Sequence, residues 1–565
     1  MRSHRVRRAQ GGGLAGLVLL LASACAAIPM SGPPQKSEIK ISTPADIQVL
    51  AAGPAEDATP QEIVDGFLAA SAAGFSDDFD TAREYLAGAA KVKWQPLSGQ
   101  VVAGPIAWAP SASVAEVVGD VPVSARVDGD GQYVEAPPNA VESVTFDLVQ
   151  DDSDQWRISG LPDGLILRDQ DFERTFQSTP IYFLSPDKTF LVPDTRWLPK
   201  KNLQTAVVQE LLQGPSPWLS DAVTSAIPEG AQLDAESVLL NRDDGVAHVG
   251  LSPLLAVTRA DTPLLLAQIN ESLRLVPGVG SVEVTAVPAG GNAATDGVPL
   301  VGDPAKLDHG TAPAGNVEFL QADRLVSLSR SEVVPVGGVG TLEGLDARSP
   351  AVSADGSLRV LLSGPNTLVT APTPETPAHA LFTGGSLAAP SIDRLGWTWT
   401  ASSNDGIVAV KAGSPTVSVL ADWLTGRIVR AVRVSPDGTR LAVISSGADG
   451  VAIQVSGIIR DESGAPQQIG DGVRAGASMV DATSVVWIDE STLGVLGRST
   501  GNIAVHLVPV SGPTQSLPEV ADPTGMAGGI VIYVTTLDGS LRRYVDTTWA
   551  PVAGVTGASY PSYPG

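Results

Sequence analysis

The phrases "PAVSADGSLRVLLSG" at residues 350–364 and "RVSPDGTRLAVISSG" at 433–447 share one plan: a short apolar strand, a tight Asp-Gly turn, then an alternating strand. A degenerate copy, "VVWIDESTLGVLG", spans 485–497. Between the first two lies "PSIDRLGWTWTASS" (390–403), with "VEFLQADRLVSLS" before them and "GGIVIYVTTLDGSLRRYV" after them. The spacings, about 35 to 55 residues, match the period of a β-propeller blade. A plain β-sandwich would share the alternation but not the repeat. Residues 316–565 are therefore expected to form an all-β propeller of five to seven blades, and about 42 residues per blade gives about six. Asp355-Gly356, Asp437-Gly438 and Asp538-Gly539 suit type I′ hairpin turns, in which both central residues take positive φ.

Upstream, from about 176 to 290, the pattern is mixed. "TPIYFLSPDKTFLVPDTRWLP" reads as two strands about a Pro-Asp turn, and "KNLQTAVVQELLQGPSPW" sets Leu203, Ala206, Val207 and Leu211 at helical spacing before Gly214-Pro215. A second helix opens at Thr262-Pro263, carries Leu266, Ile269 and Leu273, and ends at Pro277-Gly278, after which "SVEVTAV" alternates as a strand. The phrases "LLQGP", "IPEGAQL", "AHVGLS" and "AQINESLRLVPGVGSVEV" resemble the GerM-type domain of spore germination and sporulation proteins. That resemblance implies a binding or scaffolding module with no catalytic residues to carry over. Residues 291–315, rich in Gly, Ala and Pro, read as a linker to the propeller.

Residues 56–173 form another α+β unit. Thr59-Pro60-Gln61-Glu62 supplies an N-cap, a proline at the first helical position and acid in the first turn, and Ile63, Val64, Phe67 and Leu68 follow on one face. "DFDTAREYLAG" reads as a second helix. The period then changes to two, with Val144, Phe146 and Leu148 alternating with polar partners, so two helices precede an antiparallel sheet, as in an NTF2-like cone.

The single cysteine, Cys25, cannot form an intramolecular disulfide, which leaves a buried bystander, a reactive thiol or a point of attachment. Its neighbours decide. Arg2, Arg5, Arg7 and Arg8 precede an apolar run from Leu14 to Ala24 that is too short to span a bilayer, the order of a secretory signal peptide over residues 1–24. Leu21-Ala22-Ser23-Ala24 before the cysteine resembles a bacterial lipobox, with Ala22 where most carry Leu. On that reading the Cys25 sulfur carries diacylglycerol, its freed amine accepts a further chain, and residues 25–55 are a lipidated, flexible tether. The residues around Arg7-Arg8 do not match a twin-arginine signal.

The chain carries 61 acidic against 36 basic residues, a formal charge of −25, and loss of the four leader arginines deepens the excess to about −29. Nucleic acid is thereby disfavoured as a partner, and an anionic membrane surface would repel the body, so the lipid must hold it near the membrane. Glycine (59) and proline (44) are abundant and aromatics form only 5% of the chain, which favours turn-rich β architecture.

No G-x-S-x-G elbow or P-loop is present. His248, His309, His379 and His506 have no close spacing and read as surface or edge-strand residues, so no metal and no cofactor is expected. Asp151, Asp152 and Asp154 resemble half a calcium loop, but the remaining ligands do not follow, and a solvated hairpin turn fits better. Trp397 and Trp399 share one face of a strand and would pack between blades or stack on a sugar.

Lipobox, cone, GerM-type domain and propeller in this order resemble the LpqB family of actinobacterial lipoproteins. The resemblance implies a protein held on the extracytoplasmic side of the cell membrane that acts without catalysis. Its implied partner is the sensor kinase of the MtrA–MtrB two-component system, with effects on cell envelope and division. Only Cys25 carries over as a functional residue, and there is no catalytic one. Two other classes stay open: a module binding cell-wall glycan or peptide, and a propeller hydrolase, which would need carboxylates and a metal converging on the channel.

Overall fold

The computed structural model describes residues 52–565 apart from 111, 112, 292, 311 and 314. Alternating β-branched and small residues between glycine turns build six four-stranded antiparallel sheets in the C-terminal half, the six blades of a propeller. Blade 2, for example, is Ala347–Val352, Arg359–Ser363, Thr367–Thr370 and Ala380–Thr383, and blade 4 is Ile428–Val434, Arg440–Gly447, Gly450–Arg460 and Pro466–Ala475. Blade 1 is composite. Its strands Glu318–Gln321, Arg324–Ser329 and Glu332–Pro335 are completed by the C-terminal strand Ala558–Ser562, which pairs Ser559 with Leu320 and so closes the ring. Joining the two ends of the domain in one sheet gives blade 1 the same four strands as the other five.

The Asp-Gly turns differ from the type I′ expectation. Asp355, Asp437 and Asp538 keep negative φ, and only the following glycines are left-handed, Gly356 at +72°, Gly438 at +76° and Gly539 at +76°. The glycine N–H donates to the carbonyl three residues back (Gly438 to Ser435, 2.8 Å), which is a type I turn followed by a left-handed glycine. The reason lies two positions earlier: Ser435 Oγ donates to Asp437 Oδ1 (2.8 Å), and that oxygen also accepts from Thr439 N (2.8 Å), fixing the aspartate in the ordinary region. Ser353 with Asp355 and Thr536 with Asp538 repeat the arrangement.

In the N-terminal unit, helix Pro60–Ala73 begins in a capping box: Glu62 N–H donates to Thr59 Oγ1 and Thr59 N–H to Glu62 Oε2 (2.8 Å). Its buried face, Ile63, Val64, Phe67 and Ala70, lies on a sheet ordered Trp156–Gly160, Val141–Gln150, Glu116–Asp128, Gly99–Ala103, Leu165–Arg168. Val121, Val123, Ala125 and Val127 point inward along its long strand. The expected sheet was antiparallel throughout, but the final pair, Gly99–Ala103 with Leu165–Arg168, is parallel, because the intervening chain first builds the other strands. The second predicted helix is short, Asp80–Glu84, and a separate turn of helix follows at Gly88–Lys93.

The middle unit opens with the hairpin Phe176–Leu184 and Phe190–Pro199. Helix Leu203–Gln213 stops at Gly214, whose φ of +98° is open only to glycine at low cost. Strands Val246–Ser252 and Ser281–Ala286 pair in parallel across helix Thr262–Leu273, a βαβ unit. Residues leading to the propeller join these sheets: Val298–Pro299 pairs with Ser281–Ala286, and Asp308–His309 with Phe190–Pro199. Trp218, Leu219 and Ala222 of this unit share a continuous buried core with Ile453 and Val455 of blade 4. Gly457 permits that approach, since a Cβ there would meet the Ala222 side chain at 2.7 Å.

Candidate functional site

The three units meet at one side of the propeller, and charged side chains from separate units hold the junction. Ser185-Pro186-Asp187 of the middle hairpin forms the same Ser-x-Asp turn as the blades, with Ser185 Oγ donating to Asp187 Oδ1 (2.6 Å) and Lys188 taking the left-handed place. The turn presents Asp187 to Arg394 of blade 3, which donates from both terminal nitrogens at 2.8 Å each while its guanidinium lies 4.6 Å from the Phe190 ring. Partial burial opposes ionisation of Asp187, but the Arg394 bonds outweigh it and hold the carboxyl far below the usual range. Arg394 Nε also donates to the Asp437 carbonyl (2.6 Å), so the hairpin is tied to the blade 4 turn.

Asp437 and Arg440 are themselves buried, paired at 2.5 Å, with the guanidinium 4.9 Å from the Trp487 ring. Burial raises the cost of charge on Asp437, and Arg440 with Thr439 more than offsets it, keeping the carboxyl below its ordinary value. A second buried set joins the hairpin to helix Leu203–Gln213: Arg196 pairs with Asp194 (2.8 Å) and Glu210 and donates to the Gly214 carbonyl (2.6 Å). Burial pushes the Glu210 carboxyl up despite Arg196. The N-terminal unit enters the junction through Tyr133, whose N–H donates to Ser511 Oγ of blade 5 (3.0 Å), and through Glu135, which accepts from Thr514 Oγ1 (2.7 Å). Trp197 lies between them, 5.4 Å from Tyr133 and 4.9 Å from Phe172, and donates to the Ser511 carbonyl (3.1 Å).

Between hairpin and propeller lies a cavity of about 550 Å³ lined by Phe190, His309, Ile392, Arg394, Pro436 and Pro564. His309 is near Glu271 and Glu490 (3.8 and 3.9 Å), and Tyr182 donates its hydroxyl to Glu490 (2.5 Å). A smaller cavity, about 380 Å³, opens in the N-terminal unit between Leu68, Ala72, Ile106 and Trp108, with Asp65 and Arg168 at its rim. Among the described residues no group of three or more His, Cys, Asp or Glu side chains could hold a metal ion. No described helix is long and apolar enough to cross a membrane.

Cys25 lies outside the described residues. His248 is half exposed beside Glu283 (3.2 Å), and His379 lies in a loop. His506 departs from the surface or edge-strand expectation: it is 2% exposed on a strand flanked on both sides, and its ring bonds Ser516 Oγ (2.9 Å) and the Gly497 carbonyl (3.3 Å). Burial lowers its pKa, so it sits as a neutral bridge between strands. Asp151 accepts from Ser153 N and Gln155 N within its own exposed turn. Trp397 and Trp399 are 5% and 0% exposed and pack against Val432 and Val434 of blade 4, and Trp399 Nε1 donates to Asp393 Oδ2 (2.9 Å), so neither ring is open to a sugar. The Asp187–Arg394 and Arg196 ion pairs went unread in the sequence; the repeated Ser-Pro-Asp at 185–187 and 435–437 is the one signal that linked hairpin to blade.

Comparison with known proteins matches residues 53–173 to "Lipoprotein LpqB, N-terminal domain", 180–287 to "Sporulation and spore germination", and 323–564 to "Lipoprotein LpqB beta-propeller domain". A protein of Streptomyces coelicolor named lipoprotein LpqB is 30% identical over 91% of this chain and 89% of its own length. Relatives of the same name in Streptomyces avermitilis and Bifidobacterium longum are 29% and 28% identical, covering 99% and 72% of this chain and 99% and 71% of theirs. Among solved structures, the nidogen/laminin complex aligns with a TM-score of 0.33 at 14% identity, covering 41% of this chain and 91% of that one.

Proposed function

The chain belongs to the LpqB lipoprotein family, and from that premise we propose that it is a lipid-anchored extracytoplasmic accessory that works by contact, without catalysis. Cys25 bears the lipid, and the partner is the sensor kinase of the MtrA–MtrB two-component system. The observation that carries this reading is the junction itself. A continuous core between the middle unit and the propeller, the Asp187–Arg394 ion pair and the Tyr133–Ser511 hydrogen bond hold the units together, so a partner meets one composite surface and little ordering entropy is lost on binding. Anchoring in the kinase's own membrane raises the effective concentration of both, so a weak contact suffices. The acidic body disfavours the membrane surface as an alternative partner.

Affinity capture with the full chain from detergent-solubilised membranes tests the reading. The kinase is expected to co-purify. Turnover of an envelope substrate by the purified chain, with no membrane protein captured, would contradict it.

A further inference from the structure

The inner strands of the blades surround an axial channel, a narrow space of about 40 Å³ lined by Ser391, Arg433, Trp487, Met526, Ser562 and Tyr563 among others, Gly565 included, with no acidic side chain among its described lining residues. That is room for about three water-sized spheres. Arg433 projects from the innermost strand of blade 4 and donates from Nη1 to the Pro390 carbonyl. Unlike the buried Arg196, Arg440 and Arg460, each of which meets a carboxylate, Arg433 makes no ion pair among the described residues. Desolvation pushes its pKa down to about 10, so it stays charged at neutral pH, and a partly buried cation with no ion-pair partner favours an anion beside it. A second observation points to the same space. Ser562 is 8% exposed, lines the channel, and its Oγ has no hydrogen-bond partner. Ser391 Oγ accepts from Val434 N (3.1 Å) and donates to no group among the described residues.

We propose that the axial channel seats a small monovalent anion against Arg433, with the Ser391 and Ser562 hydroxyls as further donors. The charge supplies attraction and the hydroxyls direction, the donor set that suits a halide or a one-carbon carboxylate. The volume excludes larger organic acids. The net charge of the chain is strongly negative, so an anion bound here owes its place to the local guanidinium and not to a general field.

The test is thermal unfolding of the full chain in detergent at constant ionic strength, in sodium chloride, sodium formate or sodium gluconate. Chloride is expected to raise Tm by about 3 °C over gluconate, which is too large to enter. Formate matching chloride identifies a general small-anion seat, and chloride alone identifies a halide seat. Arg433→Met should remove the difference between salts and Arg433→Lys should keep it. An equal Tm in all three salts, or a difference that survives in Arg433→Met, overturns the proposal. Should Arg433→Met fail to fold, crystals of the unaltered chain grown in bromide decide the matter: anomalous density in the channel is expected, and its absence is contrary.

Discussion

Asp355 and Asp437 occupy the same place in the same turn, yet their surroundings give them different weights. Asp355 is exposed, and hydrogen bonds from Ser353 and then Ser357 lower its pKa to about 2. Asp437 is sealed beside Arg440 under the middle hairpin. Asp437→Asn should therefore cost about 3–5 kcal/mol, because Arg440 would be left buried without its counter-charge. Asp355→Asn should change stability little, and urea unfolding of both variants gives the comparison. Cys25 is the other residue on which much depends. Cys25→Ser removes the only thiol able to accept diacylglycerol, so the folded protein should leave the membrane fraction or persist as an uncleaved precursor. A cleaved Cys25→Ser chain still retained on membranes would refute the anchor. Single residues also mark where sequence reading stopped. Cys25 stands out because it is unique, and its role is the one proposed above, whereas Arg433 and Arg196 do not stand out, since nothing along a strand tells a buried or partly buried guanidinium from a solvated one.

Among elements, the middle hairpin carries the clearest pH dependence. Asp187 has a depressed pKa in the folded state, so it binds fewer protons there than in the unfolded chain at low pH. Its contribution is complete above the unfolded carboxyl value of about 3.9 and fades as pH falls below it. Asp187→Asn should lower stability by about 1 kcal/mol at pH 7, a modest figure because the carboxylate is partly exposed and screened. That difference should shrink between pH 4 and pH 2, which thermal unfolding across this range would register; an unchanged difference at pH 2 would contradict the assignment. The blades were legible because their repeat combines alternation with a turn every few tens of residues. Turn type was not, because Asp-Gly serves both type I′ and type I turns, and the choice was made by the serine or threonine two positions earlier. The parallel pair in the N-terminal sheet was missed for a related reason: alternation reports which face is buried and not the direction of the neighbour.

At the scale of the whole molecule, the ring depends on its last strand. Removing residues 558–565 takes away the inner partner of Glu318–Gln321 and opens blade 1, so the truncated chain should lose the propeller's cooperative unfolding transition. Calorimetry would detect this, and an unchanged transition would show that closure is dispensable. The order of three units could be read from changes in sequence period, but their junction could not, because it rests on pairs such as Asp187 with Arg394 and Tyr133 with Ser511. That junction underlies the central claim, a body that acts by contact from its own membrane. The most direct measurement is the autophosphorylation rate of the sensor kinase in vesicles, with the lipidated chain in the same bilayer or with Cys25→Ser protein at equal bulk concentration. The account predicts that the anchored chain changes the rate several-fold and the unanchored one much less. A rate indifferent to both would contradict it.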